Sequence, residues 1–130
     1  MNCYCGSGRE FESCCQRFIK GIAKPLTAKV LMRSRYSAYV LVVVEYILRT
    51  THPSTRKFHN AESIENWAKS SVWQKLEIIS TKDGNPNDKE GIVEFKAYFL
   101  DVNRQPQVHH ERSKFVRELG KWFFVSGEIQ

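Results

Sequence analysis

The chain has 130 residues, 42% hydrophobic residues, a mean hydropathy of −0.45 and a formal charge of +6. That is one domain's worth of sequence, with ample apolar and aromatic side chains for a packed interior, so a disordered or fibrous protein is excluded. The longest apolar run, Tyr39 to Val44, is far shorter than the roughly 18 residues a membrane span needs.

The first segment, CYCGSGREFESCC, holds all four cysteines: Cys3, Cys5, Cys14 and Cys15. Two close thiol pairs joined by a turn match the four tetrahedral corners of a structural zinc site. Gly6-Ser7-Gly8 lies between the pairs, and its glycines let the backbone fold tightly over a metal. Three other readings compete. A disulfide requires an oxidising compartment, and no basic-then-apolar leader is seen. A redox pair lacks the Cys-x-x-Cys spacing. An iron–sulfur cluster accepts four thiolates but usually draws them from more widely spaced loops. The spacing favours Zn²⁺, held in a stretch too short to have its own hydrophobic core.

These residues resemble the SEC-C motif, a short zinc-binding element whose pattern is C-x-C-x-S-G followed by a terminal Cys-Cys or Cys-His pair. Cys3, Cys5, Cys14 and Cys15 fall on its ligand positions, and Ser7-Gly8 on its Ser-Gly. Tyr4 stands where proline is common. In the Sec translocation ATPase that motif contacts a chaperone and the ribosome, so the resemblance implies a protein partner without specifying one.

A basic linker ends at Pro25, and Thr27 then caps a helix running through Ala28, Leu31, Ser34, Tyr36 and Ala38. Val42 to Leu48 reads as a second helical segment after a bend, although its three valines favour strand. Pro53 disfavours helix at His52, and Ser54-Thr55 reads as a turn. AESIENWAKSS gives a short helix with Ile64, Trp67 and Ala68 on one face.

From Trp73 the period changes to two. WQKLEIIST reads as a strand and KDGNPND as a polar loop. GIVEFKAYFL is a strand with Val93, Phe95, Ala97 and Phe99 on one side. VHHERSKFVREL and KWFFVSG form an antiparallel hairpin around Leu119-Gly120. Helices first and a meander afterwards give an α+β arrangement.

That order, with LMRSRYSAYV, HPSTR and HERSKFVRELGKWFFVSG, resembles the YchJ-like family of bacterial proteins over nearly the whole chain. The resemblance implies a cystatin-like (nuclear-transport-factor-2-like) fold: a curved antiparallel sheet packed on helices, with a small N-terminal zinc knuckle and a cone-shaped cavity. It divides the chain into a SEC-C-like motif at 1–22 and a cone domain at 23–130, and it allows a homodimer through the exposed sheet face. Members often have glycine and an acid after the AYV segment, where this chain has Leu41-Val42-Val43-Val44.

Alternation places Glu111, Ser113 and Phe115 on one face of their strand, and Phe115 marks that face as inward. A buried carboxylate needs a partner, and Arg33, Arg35 or Arg56 could supply one. Arg33, Tyr36, His52, Arg56, Glu111 and Ser113 are therefore the candidate pocket.

The leading expectation is a cytosolic zinc-binding interaction module, with a protein partner at the zinc motif or a small ligand in the cone. One alternative is a small hydrolase or isomerase using Glu111 with His52, Arg56 or Tyr36, though no nucleophile elbow, phosphate loop or dinucleotide fingerprint is present. The other is nucleic-acid or ribosome association. Residues 1–60 carry ten basic side chains against three acids, and residues 61–130 ten against eleven. A four-thiolate zinc site would lower the charge of the first half, and the absence of any block of five consecutive basic residues makes nucleic acid the less favoured partner.

Overall fold

The structure is a computed structural model that describes residues 1–130. After a one-turn 3-10 helix at Phe11–Ser13 come α1 (Cys15–Ile19), α2 (Ala28–Leu41), α3 (Val44–Arg49), α4 (Pro53–Arg56) and α5 (Ala61–Ser70). Four strands follow: β1 (Val72–Asp83), β2 (Glu90–Leu100), β3 (Pro106–Glu118) and β4 (Lys121–Ile129). They form one antiparallel meander in the order β1-β2-β3-β4. No helix is long and apolar enough to cross a membrane.

Thr27 caps α2 as its chemistry predicts, its hydroxyl accepting from the Val30 amide at 3.1 Å. Along α2 the buried residues Ala28, Leu31, Met32, Arg35 and Tyr36 follow the helical repeat and form one stripe against the sheet. A second buried strip, Ser34, Ser37 and Ala38, is made of small residues. These let α3 and the amino-terminal segment approach the helix backbone closely. Ser34 donates to the Leu31 carbonyl at 2.8 Å and lies 2.7 Å from the Tyr46 hydroxyl.

Helix α2 ends where Val42 turns left-handed, at φ 58° and ψ 46°, and α3 starts two residues later. The expected bend is thus a full break. HPSTR differs from its sequence reading: His52 is extended as expected, but Pro53 opens the one-turn helix α4 instead of leading into a turn. Its fixed φ and missing N–H suit a first helical position.

The sheet bends because three extra residues interrupt its ladders, between Trp73 and Lys75, between Ile78 and Ser80, and opposite Lys114/Phe115. Phe95, Ala97, Phe115, Trp122 and Phe124 project from its concave face into the core. The other face carries cross-strand polar pairs such as His110–Glu94 at 2.8 Å and Tyr98–Glu77 at 2.8 Å. Leu119 and Gly120 both take positive φ in the two-residue turn between β3 and β4. The open edge of β4 is covered in part by residues 50–52. There the Phe124 amide donates to the Thr50 carbonyl at 2.8 Å and the His52 amide to the Phe124 carbonyl at 2.7 Å.

Candidate functional site

Two places concentrate chemistry: the cysteine cluster and the interior of the cone. At the first, the Cys3 amide donates to the Arg9 carbonyl at 2.8 Å and a bridge pairs Asn2 with Glu10, folding the segment back on itself. Gly6 and Gly8, at φ 79° and 84°, make the reversal. All four Sγ atoms end within 4.8 Å of one another, and all four residues are buried. Cys5 and Cys14 are 3.7 Å apart, Cys14 and Cys15 4.0 Å.

Those separations test the disulfide reading of the cluster. A disulfide brings sulfurs to about 2.05 Å. Bonds of about 2.3 Å to a tetrahedral ion set neighbouring thiolates about 3.8 Å apart. The donor set therefore fits a tetrahedral metal and not a disulfide. Around it, the Ser7 hydroxyl lies 3.2 Å from the Cys14 sulfur and the Ser37 hydroxyl 3.7 Å from that of Cys3. Such outer hydroxyls orient thiolates and ease their negative charge. The neighbouring Cys15 thiol holds Cys5 well below the ordinary thiol range, while the same contact and then burial push Cys15 up. Burial also raises Cys14. Cys5 is thus ready to ionise, while Cys14 and Cys15 would give up their protons in exchange for a cation.

The cluster is docked on the body. Arg33, on α2, donates to the Cys5 carbonyl at 2.5 Å. Tyr4 packs against the main core, and Phe18 joins Ala38, Tyr46, Ile47 and Ile64 in a second one. Beside the docked cluster runs a groove of about 870 Å³, whose lining includes Arg9, Arg17, Lys24, Lys29 and Arg33 and no acidic residue. Ile22 and Leu26 stand exposed in its wall, 76% and 69% accessible.

Within the cone, Glu111 and Ser113 point inward as alternation requires, and Ser113 donates its hydroxyl proton to Glu111. His109 Nε2 contacts the other carboxylate oxygen at 2.8 Å. Burial alone would raise the Glu111 carboxyl, but the bonds from His109 and Ser113, helped by the charges of His109 and Arg35, outweigh it and hold the group below its usual value. Tyr36 lines the same cavity, its hydroxyl pushed up to about 12 by burial.

Three of the six candidates lie elsewhere. Arg33 serves the cysteine loop, His52 Nε2 pairs with Glu118 at 2.9 Å, and Arg56 donates to the Thr51 carbonyl at 2.8 Å. The arginine that reaches the cone is Arg35. His59, Trp67, Trp73 and His109 also line the cavity and were not among the candidates. For His109 the signal was present, because alternation puts it on the face of Glu111. His59 comes from the loop before α5, where no periodicity reports direction.

Residues 27–127 match the family model described as YchJ, middle NTF2-like domain. The chain belongs to the YchJ family. Its relatives there include a UPF0225 protein of Geobacter sulfurreducens, 42% identical over 96% of this chain and 77% of the relative. A UPF0225 protein of Chromobacterium violaceum is 44% identical over 98% and 92% of the two chains. Among solved structures, a SEC-C motif containing protein from Rhodopseudomonas palustris superposes with a TM-score of 0.90 at 35% identity, covering 98% of both chains. Another from Psychrobacter arcticus gives 0.82 at 33%, covering 98% of this chain and 82% of that one. This YchJ-family chain thus has the expected α+β fold, with its cysteines gathered as its SEC-C neighbours lead one to expect.

Proposed function

We propose that the chain is a zinc-held docking module that takes an acidic polypeptide segment in the groove beside its cysteine cluster. The observation carrying this reading is the groove itself: five cationic side chains, no acid, and two exposed aliphatic residues, rimmed by the loop that presents the metal ligands. Charge complementarity selects an anionic partner. Ile22 and Leu26 favour an amphipathic polypeptide, because binding to single-stranded nucleic acid relies on aromatic platforms for base stacking, and the groove's one aromatic residue, Phe18, is buried. Zinc suits an all-thiolate set at these separations and acts here as structure, fixing Arg9 and Arg17 in the same groove as Lys29 and Arg33. A short cysteine-bearing segment that lies against α2 through Tyr4 and Phe18 serves as one wall of a binding site rather than as a free tail.

Two measurements test the reading. Native mass spectrometry should find about one zinc per chain, lost in a Cys14→Ser, Cys15→Ser double variant. A fluorescent peptide alternating glutamate and leucine should bind the zinc-loaded chain, weaken with salt, and fail to bind a Lys29→Glu, Arg17→Glu variant. Preference for an RNA oligonucleotide over the peptide would overturn the choice of partner, and a metal-free native chain would overturn the scaffold.

A further inference from the structure

Arg35 is 5% exposed, yet it pairs with no carboxylate. All its protein hydrogen bonds leave from one nitrogen: Nη1 donates to the Ile47 carbonyl at 2.8 Å, to Thr50 Oγ1 at 2.7 Å and to Thr51 Oγ1 at 3.3 Å. The guanidinium carbon sits 4.5 Å from the centre of the Phe124 ring. Nε and Nη2 have no protein acceptor. Every fully buried polar side-chain atom in the chain has a partner, so these two nitrogens face open space, and the space beside Arg35 is the cone cavity. Burying an unpaired cation is costly, and a fold that keeps one at the end of a cavity invites an anion there.

The cavity measures about 140 Å³. Apolar cavities of about 150 Å³ admit a benzene ring. Its walls suit such a ring: Trp67 and Trp73 pack edge to face at 5.2 Å, Tyr39 lies 5.4 Å from Trp67, and Phe95 and Tyr36 add further aromatic surface. The Tyr39 hydroxyl has no protein hydrogen-bond partner, and Tyr39 lines the same cavity as Arg35 and Glu111. Burial and then Arg35 keep His59 below its ordinary value, so its imidazole enters neutral. Glu111 has already engaged both oxygens, with His109 and Ser113. The free groups are therefore mostly donors, and the ligand must supply acceptors.

We propose that the cone binds a small planar carboxylate, a single-ring aromatic acid or a molecule of that size, with its carboxylate on Arg35 Nε/Nη2 and the Tyr39 hydroxyl and its ring against the aromatic wall that Trp67 and Trp73 form together. The site is separate from the groove of the docking module and does not depend on it. Three probes of one size decide the matter on the full zinc-loaded chain: benzoate, benzyl alcohol and benzylammonium, each followed by tryptophan fluorescence. Benzoate should give a saturable change at least about tenfold tighter than the other two. Tyr39→Phe, which keeps the ring, should weaken benzoate about threefold and leave benzyl alcohol unchanged. Arg35→Met should equalise benzoate and benzyl alcohol wherever circular dichroism shows it folded. If that variant unfolds, the probe order on the unmodified chain and the Tyr39→Phe result still decide.

Equal or tighter binding of benzyl alcohol or benzylammonium overturns the proposal, as does the absence of any saturable change in the folded chain. Saturating the groove with the acidic peptide should leave benzoate affinity unchanged. That separates failure of the cone site from failure of the docking reading.

Discussion

Gly127 leaves room for Glu111. A Cβ at Gly127 would stand 2.9 Å from the Glu111 Cγ and closer still to its carboxylate, so the strand β4 backbone forms the floor on which that side chain lies. Gly127→Ala should displace the carboxylate from His109 and Ser113 and cost about 1–3 kcal/mol, the usual penalty for overpacking. Made together with Glu111→Ala, the same change should cost almost nothing, because the clashing group is gone. Urea unfolding of the four chains of this cycle should give a coupling of about 0.5–3 kcal/mol. Additive effects would mean that Gly127 matters for the strand alone.

The Glu111 carboxyl also sets an acid limit. Its folded-state value lies below the ordinary 4.5, so it contributes stability that is fully present above that pH and lost as pH falls through the folded value. Glu111→Gln keeps the shape and removes the titration. Its stability should change less between pH 5 and the acid transition than that of the unmodified chain, as read by urea midpoints along a pH series. Parallel curves for the two chains would assign the acid transition to other carboxylates.

Val42 occupies a position where glycine would be unstrained. At φ 58° a β-branched side chain costs about 1–2 kcal/mol, whereas glycine gives back about 0.5–1 kcal/mol through the entropy of the unfolded chain. Val42 is absent from both cores, unlike Val43 and Val44, so little packing is lost on its removal. Val42→Gly should therefore stabilise the chain by about 0.5–1 kcal/mol, visible as a higher denaturant midpoint at unchanged slope. A lower midpoint would show that the valine side chain packs more than it strains.

This position shows where the sequence was legible and where it stopped being so. Family members often have glycine after AYV where this chain has Leu41-Val42-Val43-Val44, and the helix ends there without it. Local chemistry likewise announced the Thr27 cap, the Leu119-Gly120 turn and the alternation of Val93, Phe95 and Ala97, because each depends on neighbours a few residues away. The destination of an arginine does not. Arg33 and Arg35 are two residues apart on one helix, about 200° around its axis. One goes to the cysteine loop and the other to the cone, and only the packing of α2 between two neighbours decides which. His52 left the cone for the same kind of reason, since Glu118, 66 positions away, captures its imidazole.

Arg33 therefore becomes a residue of the metal site. Its hydrogen bond to the Cys5 carbonyl ties the first ligand pair to α2, while the Ser7 hydroxyl faces Cys14. Outer-shell contacts of this kind typically change metal affinity about 10–100-fold when removed. Arg33→Ala should thus release zinc about tenfold more readily to a competing chelator. The far-UV circular dichroism should stay unchanged, because Arg33 touches neither the Arg35 network nor the cone lining. Arg35→Ala provides the contrast, since it should lower the unfolding midpoint through the loss of its bonds to Ile47, Thr50 and Thr51 and leave the rate of zinc release unaltered. Zinc release that is equally fast in both variants would mean that the cysteine loop is held by the fold as a whole and not by the Arg33 bond that ties it to α2.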